Sequence, residues 1–240
     1  MAFLQPLPPR QPIFRVPAVV AGLIALLAAA HLARVLAPAQ QSAEWIARYA
    51  FIPARYSGAY LAANNIDPGN WWDRAVPFVS YMGLHNDLLH LSINSLWLLA
   101  FAPVVARRFG GLLFLLFFLV CGVAGAATHL ALNWGSPNPV IGASGAISGL
   151  MAAGLRLLPS LRPGPQGQGA ILVPLLSRQF LLFALVWIGM NVIVGITGLG
   201  LGGETALIAW QAHLGGFIAG MLLVGPFDAL RPQPQSVELN

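Results

Sequence analysis

The stretch GLLFLLFFLVCGVAGAATHLAL, residues 111–132, runs for 22 residues without an Asp, Glu, Lys or Arg. A helix of this length measures about 33 Å, enough to cross a bilayer hydrocarbon core about 30 Å thick. The whole chain shares this character, because 58% of its 240 residues are hydrophobic and only 8% are charged. A soluble domain carries roughly 25% charged residues. These values predict a polytopic membrane protein.

Five other apolar segments alternate with connections along the chain. They lie at residues 18–37, 88–106, 144–158, 180–199 and 206–224. Together with residues 111–132, they predict an all-α polytopic membrane protein with six transmembrane helices. We expect one membrane domain over residues 18–225, with cytoplasmic tails at 1–17 and 226–240.

The long connection at about 38–84 is too polar to span a bilayer but is rich in aromatic residues. Aromatic side chains favour the headgroup layer of a membrane. We therefore expect this connection to lie partly embedded in one leaflet.

The arginines indicate the orientation of the chain in the membrane. With the amino terminus inside, the inner set is Arg10, Arg15, Arg107, Arg108, Arg156, Arg162, Arg178 and Arg231, and the outer set is Arg34, Arg48, Arg55 and Arg74. Because the inner set is twice as large, the positive-inside rule favours both termini in the cytoplasm. Short tails and no recognisable targeting peptide favour a bacterial plasma membrane.

The charge pattern argues against nucleic-acid binding, despite a net charge of +5. The basic residues are scattered, with one adjacent pair, so no patch follows a phosphate backbone. Cys121 is the sole cysteine and lies in an apolar segment. This excludes a disulfide framework and a thiolate metal site.

The fourth apolar segment is unusually short. Its fifteen residues, Ser144–Leu158, form a helix of roughly 22 Å, against a hydrocarbon core of about 30 Å. Polar and helix-breaking residues at 133–142 precede it, and such backbone is tolerated at membrane depth only within protein or beside a water-filled cavity. We therefore expect Ser144 to begin a helix below the outer surface, at the bottom of a wet cavity.

Ser144 has the surroundings that a nucleophile needs. Gly142 and Gly145 stand close to it in sequence, so a substrate backbone can approach its hydroxyl. The first N–H groups of a helix also suit a developing oxyanion. The alternative is that Ser144 caps the helix and the glycines serve only in helix packing.

His213 lies in the last apolar segment, where a histidine is costly and indicates a functional site. Gly216 and Gly220 share its helix face and form a groove that admits a neighbouring helix. If that neighbour is the fourth segment, with Gly145 facing the groove, His213 reaches the Ser144 hydroxyl as a general base. The alternative is that His213 bonds only a backbone carbonyl.

His90 and Asn94 open the second apolar segment and, four residues apart, share one helix face. Oriented neutral donors in a medium of low dielectric suit a developing oxyanion. The alternative is that both side chains only tie neighbouring helices together. His85 precedes the helix and is expected to brace the loop, whereas Asp87 is expected to complement the helix dipole.

No carboxylate completes a catalytic triad, because all seven acids lie in loops, in tails or at the ends of spans. The pattern therefore favours a Ser144–His213 dyad without a metal or cofactor. A zinc site of His85, His90 and His213 is an alternative, but the sequence lacks an HExxH motif and a suitably spaced acid. A transporter that uses these histidines as a proton relay is another, but no internal repeat supports it.

In combination, these motifs resemble those of the rhomboid intramembrane serine proteases. The matching motifs are His85-x4-His90-x3-Asn94, Gly142-x-Ser144-Gly145 and Ala212-His213-x2-Gly216-x3-Gly220. The resemblance covers about residues 71–224. It implies a six-transmembrane-helix rhomboid-type bundle that acts as a serine endopeptidase on transmembrane segments of other membrane proteins.

The resemblance also implies a role for each motif residue. Ser144 is the nucleophile and His213 the base, while His90, Asn94 and the Ser144 N–H form the oxyanion hole. The structural residues near the site are His85, Gly142, Gly145, Gly216 and Gly220.

Two positions depart from the family pattern. Ser148 stands where the family often has an aromatic residue packed on the catalytic histidine, which leaves open what orients His213. The Trp-Arg pair of the aromatic loop is interrupted, as Trp72-Asp73-Arg74. The alternative to a protease is a rhomboid-like pseudoenzyme that binds membrane proteins without cleaving them.

Overall fold

A computed structural model describes residues 16–158, 172–197 and 209–231 of the chain. Most of the two predicted tails, at 1–17 and 226–240, lies outside these residues. So do Arg10, Arg15 and Arg162, on which part of the predicted orientation rests, and the predicted span ends at 199 and 206.

The regular secondary structure of the described residues is helical, which confirms the all-α prediction. The helices are α1 (Ala18–Leu36), α2 (Ala39–Tyr49), α3 (Gly58–Ala63), α4 (Trp71–Ala75), α5 (Pro77–Ser80), α6 (Leu88–Phe109), α7 (Gly111–Leu132), α8 (Ser144–Leu157), α9 (Arg178–Thr197) and α10 (Trp210–Ala229). Short 3-10 turns lie at Pro53–Tyr56 and Tyr81–Gly83.

Five of the helices are long and apolar enough to cross a membrane: α1, α6, α7, α9 and α10. The sequence predicts α8 as a sixth, short segment, and it has only 14 residues. At 1.5 Å per residue it measures about 21 Å, shorter than the hydrocarbon core. The residues before it form no regular helix, as the sequence predicts.

Helix α8 lies at the centre of the bundle. Eleven of its fourteen residues are buried, and small residues predominate among them. A Cβ added at Gly216 of α10 would collide with the Gly145 carbonyl of α8, and one at Gly220 would collide with the Gly149 backbone. The backbones of α8 and α10 are therefore in direct contact, which lipid-embedded helices achieve through small residues.

The last helix ends later in the structure than the sequence predicts. Helix α10 continues through Pro226 to Ala229, whereas the sequence predicts a polar tail from residue 226. The extra turn carries Asp228, whose carboxylate accepts two hydrogen bonds from Arg108 of α6, at 2.6 and 2.9 Å. This ion pair, together with Arg231 at 3.3 Å from Asp228, gives the last turn a polar anchor that hydropathy alone does not register.

The connection between α1 and α6 supports the irregular segment that precedes α8. Phe51 and Val140 exchange two backbone hydrogen bonds, and the Gly142 N–H donates to the Tyr81 carbonyl at 2.9 Å. The non-helical backbone before Ser144 is thus satisfied by protein, as irregular backbone at membrane depth requires.

Candidate active site

Ser144 and His213 are joined by a hydrogen bond of 2.7 Å between Oγ and Nε2. Ser144 is the first residue of α8, and His213 lies in the first turn of α10. The close contact of the two helices at Gly145 and Gly216 brings these side chains within reach of each other. A serine hydroxyl bonded to an imidazole nitrogen is the arrangement in which the ring can accept the hydroxyl proton.

Ser144 does not cap its own helix. The N-cap residue of α8 is Ala143, and no side chain caps the helix, so the alternative reading of Ser144 as an N-cap is wrong. The amides of the first turn of α8 carry the partial positive charge of a helix N-terminus close to the Ser144 hydroxyl. This charge favours a developing anion at that place.

His90 and Asn94 lie beside the Ser144 turn. Gly142 has a φ of +116°, and a Cβ at that position would lie 2.7 Å from His90 Nε2 and 3.5 Å from Asn94 Nδ2. Glycine is therefore required at residue 142 by both backbone conformation and space. The two side chains present their nitrogens to the backbone just ahead of the serine.

Both nitrogens are suited to donate a hydrogen bond. The Asn86 N–H donates to His90 Nδ1, at 3.4 Å, which leaves the proton of a neutral His90 ring on Nε2. Asn94 is buried, and its Nδ2 has no hydrogen-bond partner in the described part of the chain. A buried donor without a partner is uncommon and indicates a site that a further group completes.

His85 lies in the loop before α6 and does not line the cavity around Ser144. Its ring is fully buried and packs edge-on against His90, with 5.1 Å between ring centroids. Its carbonyl accepts a 2.7 Å hydrogen bond from Arg34 of α1. Burial, with smaller contributions from His90 and His31, lowers the pKa of His85 to about 4, so the ring is neutral at physiological pH. These contacts connect α1 with the start of α6.

Ser148 does not hold the catalytic histidine candidate, because its hydroxyl donates to the Ser144 carbonyl one turn back, at 2.7 Å. The ring of His213 is held instead by Asn191 of α9, whose Oδ1 lies 2.7 Å from His213 Nδ1. The sequence reasoning did not single out Asn191. An amide side chain within an otherwise apolar span is costly, and that cost was the available signal.

A cavity of about 640 Å³ surrounds the pair, lined by residues of α6, α7, α8, α9 and α10. Ser144 and His213 are both in its wall, and so are His90, Asn94 and Asn191. The sequence predicts such a cavity at the beginning of α8.

The wall of the cavity also contains a polar group formed by His129, Asn133 and Gln211. Asn133 donates to the His129 carbonyl at 3.1 Å and accepts from Gln211 at 3.4 Å. This group connects the carboxyl-terminal end of α7 with the first turn of α10.

The three histidines of the alternative zinc site do not share one ligand position. Both ring nitrogens of His213 are engaged, by Ser144 and Asn191, and His90 Nδ1 accepts from a backbone amide. The residues that the structure describes contain no group of three or more His, Cys, Asp or Glu side chains that could hold a metal ion.

Fold and site together define a helical membrane protein with a serine–histidine pair in a cavity among its helices. A family model for the rhomboid domain matches residues 68–227. The chain therefore belongs to the rhomboid family and is an integral membrane protein.

A curated relative extends the comparison. Rhomboid protease GluP of Bacillus subtilis (strain 168) is 34% identical over 156 residues, which cover 65% of this chain and 26% of that protein. The matched region thus spans about a quarter of the length of that relative.

Proposed function

We propose that this protein is an intramembrane serine endopeptidase that cleaves transmembrane segments of other membrane proteins with a Ser144–His213 dyad. The observation that carries the proposal is the 2.7 Å hydrogen bond between Ser144 Oγ and His213 Nε2. Membership of the rhomboid family and the similarity to a protein named as a rhomboid protease support it.

Acylation begins when Ser144 Oγ attacks the scissile carbonyl carbon and His213 Nε2 takes the hydroxyl proton. The carbonyl oxygen becomes an oxyanion, and His90 Nε2–H, Asn94 Nδ2–H and the Ser144 N–H donate to it. Breaking the C–N bond then releases the amine, which receives the proton from His213.

Deacylation repeats these steps with water as the nucleophile. His213 takes a proton from water as the oxygen attacks the acyl-enzyme ester, and returns it to Ser144 Oγ when the ester C–O bond breaks. The peptide bond is thereby hydrolysed, and the dyad regains its starting protonation.

Substrate access is proposed between α6 and α9. The cavity wall includes Ile93 and Trp97 of α6 and Trp187 and Met190 of α9, so apolar side chains from both helices face the space next to the serine. A transmembrane helix hides its own peptide carbonyls, and for that reason the segment must unwind locally before Ser144 reaches one.

The proposed location is a bacterial plasma membrane with both termini in the cytoplasm. Arg107 and Arg108 at the end of α6 and Arg156 at the end of α8 would then lie on the inner side. The positive-inside rule favours this orientation, and it places the start of α8 on the outer side.

The test is labelling of the detergent-purified full chain with a fluorophosphonate probe, followed by cleavage of a reporter membrane protein in liposomes. We expect wild type to be labelled and active, and Ser144→Ala and His213→Ala to be neither. Ser92→Ala is the matched control, since Ser92 is exposed on α6 and bonds only the Leu88 carbonyl within the described residues.

Two outcomes would overturn the proposal. Cleavage by Ser144→Ala would show that another group is the nucleophile. A folded wild-type protein that neither reacts with the probe nor cleaves would indicate a rhomboid-like protein that binds membrane proteins without cutting them.

A further inference from the structure

The imidazole of His213 is bonded on both sides. Nε2 meets Ser144 Oγ and Nδ1 meets Asn191 Oδ1, each at 2.7 Å. An amide oxygen only accepts hydrogen bonds, so Nδ1 of a neutral ring must carry the proton in this arrangement. Nε2 is then the acceptor for the serine hydroxyl, which is the tautomer that a general base needs.

The orientation of the Asn191 amide is itself determined by a second contact. Its Nδ2 donates to the Trp187 carbonyl, one turn back on α9, at 2.8 Å. Because that carbonyl can only accept, the amide nitrogen faces Trp187 and the amide oxygen faces His213. Exchange of the amide oxygen and nitrogen would therefore lose the hydrogen bond to the Trp187 carbonyl.

The position of Asn191 depends on how α9 packs against α10. The Trp187 ring stacks on the ring of Phe217, with 4.6 Å between centroids and 14° between planes. Phe217 lies one turn after His213 on α10, and Trp187 lies one turn before Asn191 on α9. The stacked pair and the hydrogen-bonded pair thus form two adjacent contacts between the same two helices.

We propose that Asn191 is a positioning residue that fixes the tautomer and the ring orientation of His213. This inference rests on the proposed function and extends the dyad to a Ser144–His213–Asn191 arrangement. It answers what orients His213 when Ser148 bonds the Ser144 carbonyl instead. Asn191 does not touch the reacting atoms and acts through the imidazole.

Three substitutions at this position separate orientation from simple packing. Asn191→Ala removes the acceptor, and we expect the rate of fluorophosphonate labelling and kcat to fall by about 10- to 100-fold, the cost that a metal-bound histidine shows when it loses its orienting partner. KM should stay within about twofold, since Asn191 makes no contact with the reacting atoms. Asn191→Leu, which has a similar volume and no acceptor, should behave like Asn191→Ala.

Asn191→Asp keeps an acceptor of the same shape and adds a negative charge. We expect this variant to recover most of the labelling rate, and the acid limb of its pH profile to move to higher pH by about one unit, because the carboxylate stabilises the imidazolium. The other titratable groups near His213 are His90 on α6 and His129 on α7. Both are common to all variants, so they do not contribute to the difference.

Asn133→Asp is the matched control. It adds the same charge to the wall of the same cavity, but the contacts of Asn133 are with His129 and Gln211. We expect its pH profile to stay close to that of wild type. An equal displacement in both Asp variants would overturn the proposal, because the charge would then act through the general field of the cavity.

A spectroscopic measurement tests the inference even if the protein proves not to be a protease. In protein with 15N-labelled histidine, His213 should show the signature of a proton on Nδ1 in wild type and lose it in Asn191→Ala. The signal is assigned by its absence in His213→Gln. Persistence of that signature in Asn191→Ala, or an unchanged labelling rate in an active protein, would overturn the positioning role while leaving the Ser144–His213 dyad intact.

Discussion

Helices α9 and α10 have the same length and are both apolar enough to cross a membrane, yet they are packed very differently. Each has 20 residues, and each contributes one side chain to the pair of His213 and Asn191. About 39% of the most apolar window of α10 is buried inside the protein, against 11% for α9. Apolar length therefore determines that both helices can span a membrane but not how deeply either one packs.

The difference follows from the kind of side chain at each contact. Helix α10 meets α8 through Gly216 and Gly220, so backbone touches backbone. Helix α9 meets α10 through large aromatic rings, among them Trp187, which stacks on Phe217. Lipid tails are as apolar as the helix surfaces, so burying apolar surface between helices releases little free energy. Close van der Waals packing therefore holds the helices together.

The largest effect is expected from a glycine in the backbone contact. In Gly220→Val the added carbons collide with the Gly149 backbone, which cannot move aside as a flexible side chain does. We expect a loss of about 3 kcal/mol or more in stability, at the upper end of overpacking effects. The measurement is the thermal unfolding midpoint in detergent, followed by tryptophan fluorescence.

Gly189→Val on α9 is the control for that substitution. A Cβ at Gly189 meets nothing within 4 Å, so stability should change by no more than about 0.5 kcal/mol. Equal destabilisation by both valines would contradict the contrast between the two helices.

A rate effect without unfolding is expected on the well-packed side of the site. Asn94→Ala removes a buried donor that has no partner among the described residues, so folding loses no hydrogen bond there. If Asn94 donates to the oxyanion, kcat should fall by about 10²- to 10³-fold with the thermal midpoint unchanged. A fall of less than tenfold in kcat would remove Asn94 from the oxyanion hole.

A smaller rate effect is expected at the close approach of Gly195 on α9 to Trp210 on α10. In Gly195→Ala the new methyl group would overlap the Trp210 side chain, so either that side chain or the carboxyl-terminal part of α9 must shift. Asn191 lies one turn before Gly195 on α9, so we expect a fall of about tenfold in labelling rate with little change in stability. Gly189→Ala, on the same helix, should leave the rate at the wild-type value.

If Gly195→Ala lowered the unfolding midpoint as strongly as Gly220→Val, α9 would belong to the same packed unit as α8 and α10. The labelling rate and the midpoint should therefore be measured on the same preparations.

The smallest effect is expected at the carboxyl-terminal end of α10. Asp228→Asn keeps the shape of the side chain but removes the charge that pairs with Arg108 and Arg231. Both partners of the Arg108 pair remain partly exposed, so the loss should be about 1 kcal/mol and should shrink at high salt. Glu44→Gln, an exposed acid on α2, is the control, and a loss of stability that does not depend on salt would contradict an ionic origin.

Sequence reasoning located the helices well because its signals are local. The apolar runs predicted α1, α6 and α7 to within a few residues, since a lipid environment requires each spanning segment to satisfy its own backbone. The missed extension of α10 to Ala229 has a tertiary cause, because the pairing of Asp228 with Arg108 joins residues 120 positions apart. Hydropathy carries no information about such a partner.

For the candidate site, the motifs identified Ser144, His213, His90 and Asn94 as polar groups where polarity is costly, and the structure places all four in the wall of one cavity. The sequence did not identify Asn191 as a site residue, because no recognised motif surrounds it in α9. Its significance arises when the Trp187–Phe217 stack sets α9 against α10.

Composition and residue spacing alone determine the order of the apolar segments and the short length of the fourth helix. They also determine the chemistry of the first residue of that helix. They follow from the bilayer thickness and from the cost of placing a polar group in lipid. The hydrogen bonds at both ring nitrogens of His213 depend on the tertiary structure, because α8, α9 and α10 meet at that ring. Such a meeting is fixed by steric fit between residues distant in sequence, here backbone against backbone on one side and ring against ring on the other.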